Sequence, residues 1–339
     1  MINHVYRLKN PKQIVLDLVE EKIVPDNIII RPKYLSICAA DRRYYFGMRS
    51  KETLKKKLPM ALIHEAVGEI IYDPKGELKK GTTVVMVPNT PFEKDEIIKE
   101  NYLRSSKFRS SGYDGFMQNI VNIRRDRLVP FKDIDMEVAA LLELVSVCIN
   151  AYKSFDKISH ARKNIIGIWG CGSVGFVMAL VLKNKLPNSK IIVFGTNENK
   201  LKYFSFVDEV VLINGINGNY KIDHAFECVG GSAAGDAVNQ MIDIINPEGT
   251  ISLMGVSENL ISLNTRMILE KGIKLVGNSR SSYEDFCDSV KLLVDNPDIQ
   301  SYLKTIISDL VVVNTIKDIH LAFEKDLGNN FKTVMKWSI

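Results

Sequence analysis

A small group of potential metal ligands stands out in the first half of the chain. Cys38 follows an apolar run, the pair His64-Glu65 precedes another, and Glu143 interrupts the apolar stretch 138–145. An unpaired carboxylate in such surroundings costs several kcal/mol unless it is neutralised or bound to a cation. Thiolate, imidazole and carboxylate together suit zinc, which in catalytic sites takes three protein ligands and keeps one position open. We therefore predict a catalytic zinc held by Cys38, His64 and Glu143, with Glu65 as an alternative ligand or a supporting group.

A glycine-rich turn lies in mid-chain, between an apolar, strand-like segment and a helical run. Its Gly-x-Gly-x-x-Gly spacing allows a tight turn, a close approach of the backbone to phosphates, and close packing of the helix on the strand. Because a strand precedes it and a helix follows it, the turn predicts a site for a dinucleotide pyrophosphate. The coenzyme-binding residues predicted in it are Gly170, Gly172, Ser173, Val174 and Gly175.

The segment after the second strand of this region bears on the choice of coenzyme. NAD-specific proteins place an acid there, roughly twenty residues past the glycine turn, to bind the ribose 2′-hydroxyl. Here Gly195 and Thr196 occupy that position, so no carboxylate is present there. Thr196, Asn197 and Lys200 can hold a 2′-phosphate, although Glu198 argues the other way and Lys200 can equally be a solvated helix residue. The pattern favours NADP(H) over NAD(H).

From residue 164 onward, strands and helices alternate, which predicts a doubly wound parallel sheet. We expect the nicotinamide ring near Cys228 and Val229, at the carboxyl end of one of its strands. The expected strands are 165–169, 191–194, 210–213, 224–228, 250–254 and 273–276, with helices ending at 186 and spanning 199–206 and 234–245. This dinucleotide-binding domain is predicted to span residues 147–285.

The remaining residues, 1–146 and 286–339, are predicted to form a second domain. Short apolar or alternating runs separated by Pro and Gly indicate β-rich, barrel-like structure. Strands are expected at 28–34, 66–72, 83–87 and 116–121. In the tail we expect helices at 286–294 and 319–326, a strand at 311–313, and a last strand, 332–339, that returns to the N-terminal part of this same domain.

Composition bounds the classes of function. Lys and Arg outnumber Asp and Glu by 45 to 40, an excess too small to indicate nucleic-acid binding but compatible with a small phosphorylated ligand. No signal-peptide pattern and no apolar run of membrane-spanning length is present, so we expect a cytoplasmic protein that does not bind membranes. The 5 cysteines are odd in number and widely spaced, which favours reduced thiols.

Taken together, these motifs resemble the zinc-dependent medium-chain dehydrogenase/reductases, over nearly the whole chain. The resemblance implies a Rossmann domain plus a β-rich, GroES-like catalytic domain, which is the α/β fold class that we predict. The motifs that carry it are Cys38-Ala39-Ala40-Asp41, His64-Glu65-Ala66-Val67-Gly68, Asp114-Gly115-Phe116, Glu143-Leu144-Val145, Gly170-Cys171-Gly172-Ser173-Val174-Gly175 and Phe226-Glu227-Cys228-Val229-Gly230-Gly231.

Segments 36–45, 86–94, 109–118 and 279–286 are most similar to those of ribulose-5-phosphate reductases. That similarity implies NADPH-dependent reduction of D-ribulose 5-phosphate to D-ribitol 5-phosphate for teichoic acid or capsule polymers, with zinc polarising the carbonyl group. It also implies a homodimer joined at the sheet edge. The alternatives are an NAD-dependent polyol dehydrogenase of the sorbitol type and, in another class, a metal-free nucleotide-binding sensor.

The chain departs from the wider family at two places. Residues 72–147 contain no cysteine, so the second, structural zinc of many members is not expected. Ala40 stands where many dehydrogenases have a Ser or Thr that relays a proton, so Tyr44, Glu65 or metal-bound water is the candidate for that role.

Several side chains are candidates for binding the substrate phosphate, because guanidinium groups donate paired, charged hydrogen bonds to phosphate oxygens. Each can instead be an ordinary surface residue. The candidates are Arg42, Arg43, Arg109, Ser110 and Arg280.

Overall fold

The computed structural model describes residues 1–216 and 220–339. Its strands are β1 (Ile2–Asn10), β2 (Gln13–Glu20), β3 (Asn27–Ser36), β4 (Met60–Ala61), β5 (Glu65–Tyr72), β6 (Thr83–Met86), β7 (Asn89–Thr90), β8 (Lys107–Phe108), β9 (Val121–Arg124), β10 (Leu128–Pro130), β11 (Ile165–Trp169), β12 (Lys190–Gly195), β13 (Glu209–Leu212), β14 (Ile222–Glu227), β15 (Ile245–Leu253), β16 (Lys274–Gly277), β17 (Ile307–Val313) and β18 (Lys332–Trp337).

The α-helices are α1 (Ala39–Tyr45), α2 (Lys51–Lys57), α3 (Met136–Ala139), α4 (Leu142–Ile158), α5 (Ser173–Lys185), α6 (Glu198–Leu201), α7 (Ala234–Ile244), α8 (Thr265–Lys271), α9 (Tyr283–Asp295), α10 (Pro297–Thr305) and α11 (Ile316–Gly328). Short 3₁₀ turns lie at Glu100–Tyr102, Arg125–Arg127, Ile213–Gly215 and Gly231–Ala233. None of the helices within the described ranges has the length and apolar character needed to cross a membrane.

The chain divides into two compact units. Unit 1 comprises Met1–Ser146 and Ser281–Ile339, and unit 2 comprises Val147–Arg280. The second boundary therefore falls after Arg280, whereas the sequence placed it after residue 285.

Unit 2 is built on a six-stranded parallel sheet with the order β13-β12-β11-β14-β15-β16. This is the order of a doubly wound dinucleotide-binding fold, in which the order of the strands reverses between β11 and β14. The central strands β11, β12 and β14 are buried along nearly their whole length, as is typical of parallel sheets. Trp169 and Phe194 stack at the ends of the first two strands, with ring centroids 4.1 Å apart.

One helix of unit 2 is shorter than the sequence predicts. The helix expected at 199–206 is only α6, and the following residues form successive i→i+3 turns. Those turns bring both Phe204 and Phe206 against Phe176, each with ring centroids 5.1 Å away. Tertiary packing of two aromatic rings thus ends the helix early.

Unit 1 contains a seven-stranded sheet in which β3 pairs with β5, β9 and β18. The expected return of the C-terminal strand is confirmed, since β18 lies antiparallel to β3 and parallel to β17. The strand expected at 116–121 is wrong. The amides of Gly115 and Phe116 instead bind the carbonyls of Ala61 and Ile63, and the strand β9 begins only at Val121.

The pairing of β3 with β5 sets the positions of the metal-ligand candidates. Ser36, the last residue of β3, pairs with Glu65, the first residue of β5. Cys38 therefore follows one strand at the same sheet end where His64 and Glu65 enter the other. Residues 26 positions apart in the sequence meet because antiparallel strands place the end of one beside the start of the next.

Candidate active site

Three potential metal ligands of unit 1 meet at that sheet end. The ligand atoms of Cys38, His64 and Glu65 all lie within 4.8 Å of one another. His64 and Glu65 are buried, with 7% and 1% of their surface exposed, and Cys38 is partly exposed. A thiolate, an imidazole and a carboxylate at this spacing form a zinc-type ligand set with one accessible side.

Asp41 orients the imidazole of His64. Its Oδ2 lies 3.2 Å from His64 Nδ1, which leaves Nε2 as the nitrogen for a cation. Asp41 is fully buried and accepts bonds from the hydroxyl of Ser110 and from the amide of Ile63. Burial alone would raise the pKa of Asp41, but the charge of His64 and these hydrogen bonds hold it below its usual range. Burial alone would lower the pKa of His64, and Asp41 and Cys38 hold it well above its usual value.

Lys332 holds the carboxylate of Glu65. Its ammonium lies 2.7 Å from Glu65 Oε1, and both side chains are buried. The pKa of Lys332, which burial alone would lower, is raised mainly by the charge of Glu65 and then by Cys38 and Asp326. Asp326 is in turn bound by the guanidinium of Arg42, at 3.2 Å. Alternating charges thus extend from the ligand cluster to a partly exposed arginine.

The ligand cluster fits a bound cation. While Oε1 of Glu65 accepts the bond from Lys332, Oε2 is buried and has no hydrogen-bond partner. A buried, unpaired carboxylate oxygen is costly unless a cation lies against it. Beside a thiol and an imidazole, this oxygen is the donor that completes a zinc-type set.

Glu143 lies near this cluster but is not part of it. It occupies the first turn of α4, is 6% exposed, and interacts electrostatically with His64 and Glu65. Burial raises the pKa of Glu143 to about 7, and the charge of Glu65 adds to the effect. Among the described residues, the group of ligand atoms within 4.8 Å contains Glu65 rather than Glu143. Glu143 as a ligand therefore stays a prediction.

The backbone around His64 is held in an unusual conformation. Ile63 has a φ of 71°, which is rare for a β-branched residue. Its carbonyl accepts the amide of Phe116, and a Cβ on Gly115 would lie 2.3 Å from the carbonyl oxygens of both Leu62 and Ile63. A glycine at 115 is therefore required for this packing against the segment that precedes His64.

Unit 2 carries a cavity of about 460 Å³ at the carboxyl ends of its strands. The predicted coenzyme residues Gly170, Gly172, Thr196, Asn197, Lys200, Cys228 and Val229 all line it. Asn197 also caps α6, because its side-chain oxygen accepts the amide of Lys200. Ser173 and Val174 form the first turn of α5, whose N-cap is Gly172. A helix amino terminus beside a cavity suits a pyrophosphate.

The three motif glycines have different structural roles. Gly170 has a φ of 115°, and its added Cβ would lie 2.6 Å from the carbonyl oxygen of Cys228. A Cβ on Gly175 would lie 1.9 Å from the carbonyl oxygen of Gly170, so helix and turn pack at this point without any side chain. A Cβ on Gly172 would meet nothing within 4 Å, so the space beside this glycine is open to a ligand in the cavity.

Three candidates for the substrate phosphate bind other groups of unit 1. Arg42 binds Asp326, and the hydroxyl of Ser110 binds Asp41. Arg109 donates to the carbonyls of Asp114 and Asn122, and its pKa is lowered to about 10 by burial.

The other two candidates occupy different units. Arg43 lies on α1, the helix that follows Cys38, and is partly exposed. Arg280 is the last residue of unit 2, with a φ of 59° and a pKa lowered by burial.

The candidates for proton relay lie in the same segment as the ligands. Ala40 is in the first turn of α1 and has no hydroxyl. Tyr44, one turn further along, is buried, with its ring 5.0 Å from the guanidinium of Arg49. Asp41 and Lys332 contact two of the predicted ligands and were not assigned a role by sequence reasoning. An acid three residues after a cysteine ligand was a usable signal, whereas a lysine 267 residues away from Glu65 was not.

A buried set of zinc-type ligands in one unit and a dinucleotide cavity in the other characterise a metal-dependent oxidoreductase. Comparison with known proteins agrees. Residues 24–133 match the model of the alcohol dehydrogenase GroES-like domain, and residues 174–295 match that of the zinc-binding dehydrogenase domain.

Full-length relatives give the same result. The chain is 51% identical to ribulose-5-phosphate reductase 1 of Staphylococcus aureus, over 99% of both proteins. It is 48% identical to ribulose-5-phosphate reductase of Bacillus spizizenii, over 100% of both. The crystal structure of S. aureus TarJ in complex with NADPH matches with a TM-score of 0.90 and 46% identity, over 100% of both chains. The chain belongs to the zinc-binding medium-chain dehydrogenase family, and the predicted fold class is confirmed.

Proposed function

We propose that this protein reduces D-ribulose 5-phosphate to D-ribitol 5-phosphate with NADPH, and so supplies ribitol phosphate for teichoic acid or capsule polymers. The observation that carries the proposal is the combination of a zinc-type ligand cluster with a coenzyme cavity lacking an acid at the end of β12. Both occur in a chain that is similar to ribulose-5-phosphate reductases from end to end.

Cys38, His64 and Glu65 would hold the zinc, with Glu143 as a further candidate. When bound, zinc acts as a Lewis acid on the substrate carbonyl and NADPH supplies the hydride. The protein's contribution is to keep the ligands in place: Asp41 fixes the tautomer of His64, and Lys332 fixes one oxygen of Glu65. The glycine turn and the amino end of α5 bind the pyrophosphate.

The test is a substrate screen on the purified, zinc-loaded protein, followed by the absorbance of the reduced coenzyme. Ketose and aldose phosphates are offered with NADPH and NADH, beside unphosphorylated ribulose, fructose and xylulose. We expect ribulose 5-phosphate with NADPH to give the highest kcat/KM. A preference for NADH and free ketoses would favour the sorbitol-type alternative. Absence of stoichiometric zinc, with no effect of Cys38→Ser on activity, would favour the metal-free sensor.

For the substrate phosphate we propose Arg43. It lies on α1, which begins one residue after the predicted ligand Cys38, and its guanidinium group can donate paired, charged hydrogen bonds to phosphate oxygens. The test compares Arg43→Ala with Arg42→Ala. We expect Arg43→Ala to raise KM for ribulose 5-phosphate while leaving KM for unphosphorylated ribulose unchanged. Equal effects on both substrates would contradict this assignment.

We also propose a homodimer joined at β16. This strand is an edge of the parallel sheet, and it carries the exposed side chain of Leu275. Exposed edge strands pair readily with a second chain. Light scattering after size-exclusion chromatography should give twice the mass of 38.3 kDa, and Val276→Pro should reduce it to that of one chain.

A cytoplasmic location is proposed as well. None of the five cysteines forms a disulfide bond, as is typical of a reducing compartment. Cell fractionation with an antibody against the protein tests this proposal.

A further inference from the structure

Gly195 ends β12 at the position where an NAD-specific protein carries its acid. Its backbone is not in the left-handed region, so conformation does not demand a glycine there. The obstacle is steric. A Cβ on Gly195 would lie 2.7 Å from the Sγ of Cys171, 2.8 Å from the Cβ of Cys171 and 3.0 Å from Leu201 Cδ2.

Two of these three contacts cannot yield easily. Leu201 touches only with the tip of a flexible side chain. The Cβ of Cys171 is fixed by the backbone between Gly170 and Gly172, and the residue is only 7% exposed, so its thiol is packed in place. The turn is also tied to β12, because the amide of Gly170 donates to the carbonyl of Phe194 at 2.9 Å.

We propose that Cys171 is a determinant of coenzyme specificity, acting through Gly195. By filling the space beside the end of β12, Cys171 excludes the carboxylate that would bind a ribose 2′-hydroxyl. The cavity lining next to the end of β12 then consists of Thr196, Asn197 and Lys200, which suit a 2′-phosphate. A residue of the glycine turn, which follows β11, thus contributes to the preference for NADP(H), in addition to the residues at the end of the neighbouring strand β12. This inference rests on the proposed use of NADPH.

The test measures equilibrium dissociation constants of NADPH and NADH by titration calorimetry on the zinc-loaded protein, together with the melting temperature. The variants are Gly195→Asp, Cys171→Gly, Cys171→Gly/Gly195→Asp and Cys171→Ala/Gly195→Asp. The matched control is Gly215→Asp, in the same unit, where the nearest atom to an added Cβ is 3.9 Å away.

We expect Gly195→Asp alone to lose NADPH binding at least tenfold, to gain no NADH binding and to lower the melting temperature, which the control does not. Adding Cys171→Gly should tighten NADH binding at least tenfold relative to Gly195→Asp and restore most of the melting temperature. Cys171→Ala/Gly195→Asp should lie between them, because the Cβ at 171 remains.

Tight NADH binding and an unchanged melting temperature for Gly195→Asp alone would overturn the inference, as would strictly additive effects of the two substitutions. Failure of the proposed function has a different signature. A wild-type protein that binds NADH as tightly as NADPH would contradict the coenzyme assignment. The steric contact between Cys171 and Gly195 would still be tested by whether the two substitutions change the melting temperature non-additively.

Discussion

Replacing Glu143 by Gln should stabilise the zinc-free protein at pH 8. Burial raises the pKa of this carboxyl from 4.5 to about 7. When a carboxyl has a higher pKa in the folded state than in the unfolded state, the free energy of unfolding falls as the pH rises between the two pKa values. Each pKa step corresponds to 1.36 kcal/mol, so the ionised side chain costs the folded state about 3 kcal/mol above pH 7. Glutamine has nearly the same shape and cannot ionise.

The assay is urea unfolding of chelator-treated protein, followed by tryptophan fluorescence. The chain has 2 tryptophans, of which Trp337 belongs to unit 1 and Trp169 to unit 2. A Trp169→Phe background therefore lets Trp337 report on the unit that contains Glu143. We expect Glu143→Gln to raise the free energy of unfolding by about 3 kcal/mol at pH 8 and to leave it nearly unchanged at pH 4.5.

The control is Glu52→Gln, on the exposed helix α2, which should change little at either pH. An equal effect of Glu143→Gln at both pH values, or destabilisation at pH 8, would refute the reasoning. Zinc adds a second measurement on the same variant. If Glu143 binds the metal, its replacement should weaken zinc binding while it stabilises the zinc-free protein, a combination that a purely structural glutamate would not give.

Other substitutions test the remaining parts of both sites. Gly175→Ala should unfold the turn and lower the melting temperature, because the added Cβ would lie 1.9 Å from a backbone oxygen. Gly172→Ala should keep the melting temperature and lose only NADPH binding, as measured by calorimetry. Asp41→Asn should weaken zinc binding by about 10- to 100-fold in a chelator competition, since it leaves His64 without its charged partner. Lys332→Met should lower the free energy of unfolding by about 3–5 kcal/mol, because a buried carboxylate loses its partner, and adding Glu65→Gln should restore part of the loss. Zinc affinity should rise with pH until the raised pKa of His64 is passed, because His64 must lose its proton before it can bind the metal. The number of protons released when zinc is added at pH 6 and at pH 8 measures this dependence.

Much of the fold was predictable because it depends on local periodicity. The strand 165–169 and the glycine turn were located correctly, since a buried parallel strand is a continuous apolar run and the turn has fixed glycine positions. The element boundaries that were predicted wrongly depend on packing between residues distant in the chain. Phe204 and Phe206 end α6 by reaching the same partner, Phe176. The seven-residue helix α8, which no prediction included, begins at an Asn cap and ends at a left-handed Gly272, signals that were readable in the sequence.

The sites divide in the same way. Cysteine, histidine and glutamate were recognisable as candidate metal ligands from their residue types beside apolar strands. Which glutamate joins the cluster was not recognisable, because Glu65 and Glu143 are both acids in apolar surroundings. Only the pairing of Ser36 with Glu65 brings one of them to the thiol and the imidazole. Arg109 and Ser110 were reasonable phosphate candidates by residue type, yet the fold turns one toward backbone carbonyls and the other toward Asp41.

By itself, the amino-acid sequence determined the chemistry available to this protein: ligands suited to zinc, a turn that accepts a pyrophosphate, and no acid at the end of the second strand of unit 2. Those properties reside in residue type and short spacing, which folding does not alter. The tertiary structure decided which charges are neighbours. Lys332 beside Glu65, Asp41 behind His64 and Cys171 against Gly195 are contacts between residues far apart in the chain or on different strands, and only strand pairing and packing can set such distances.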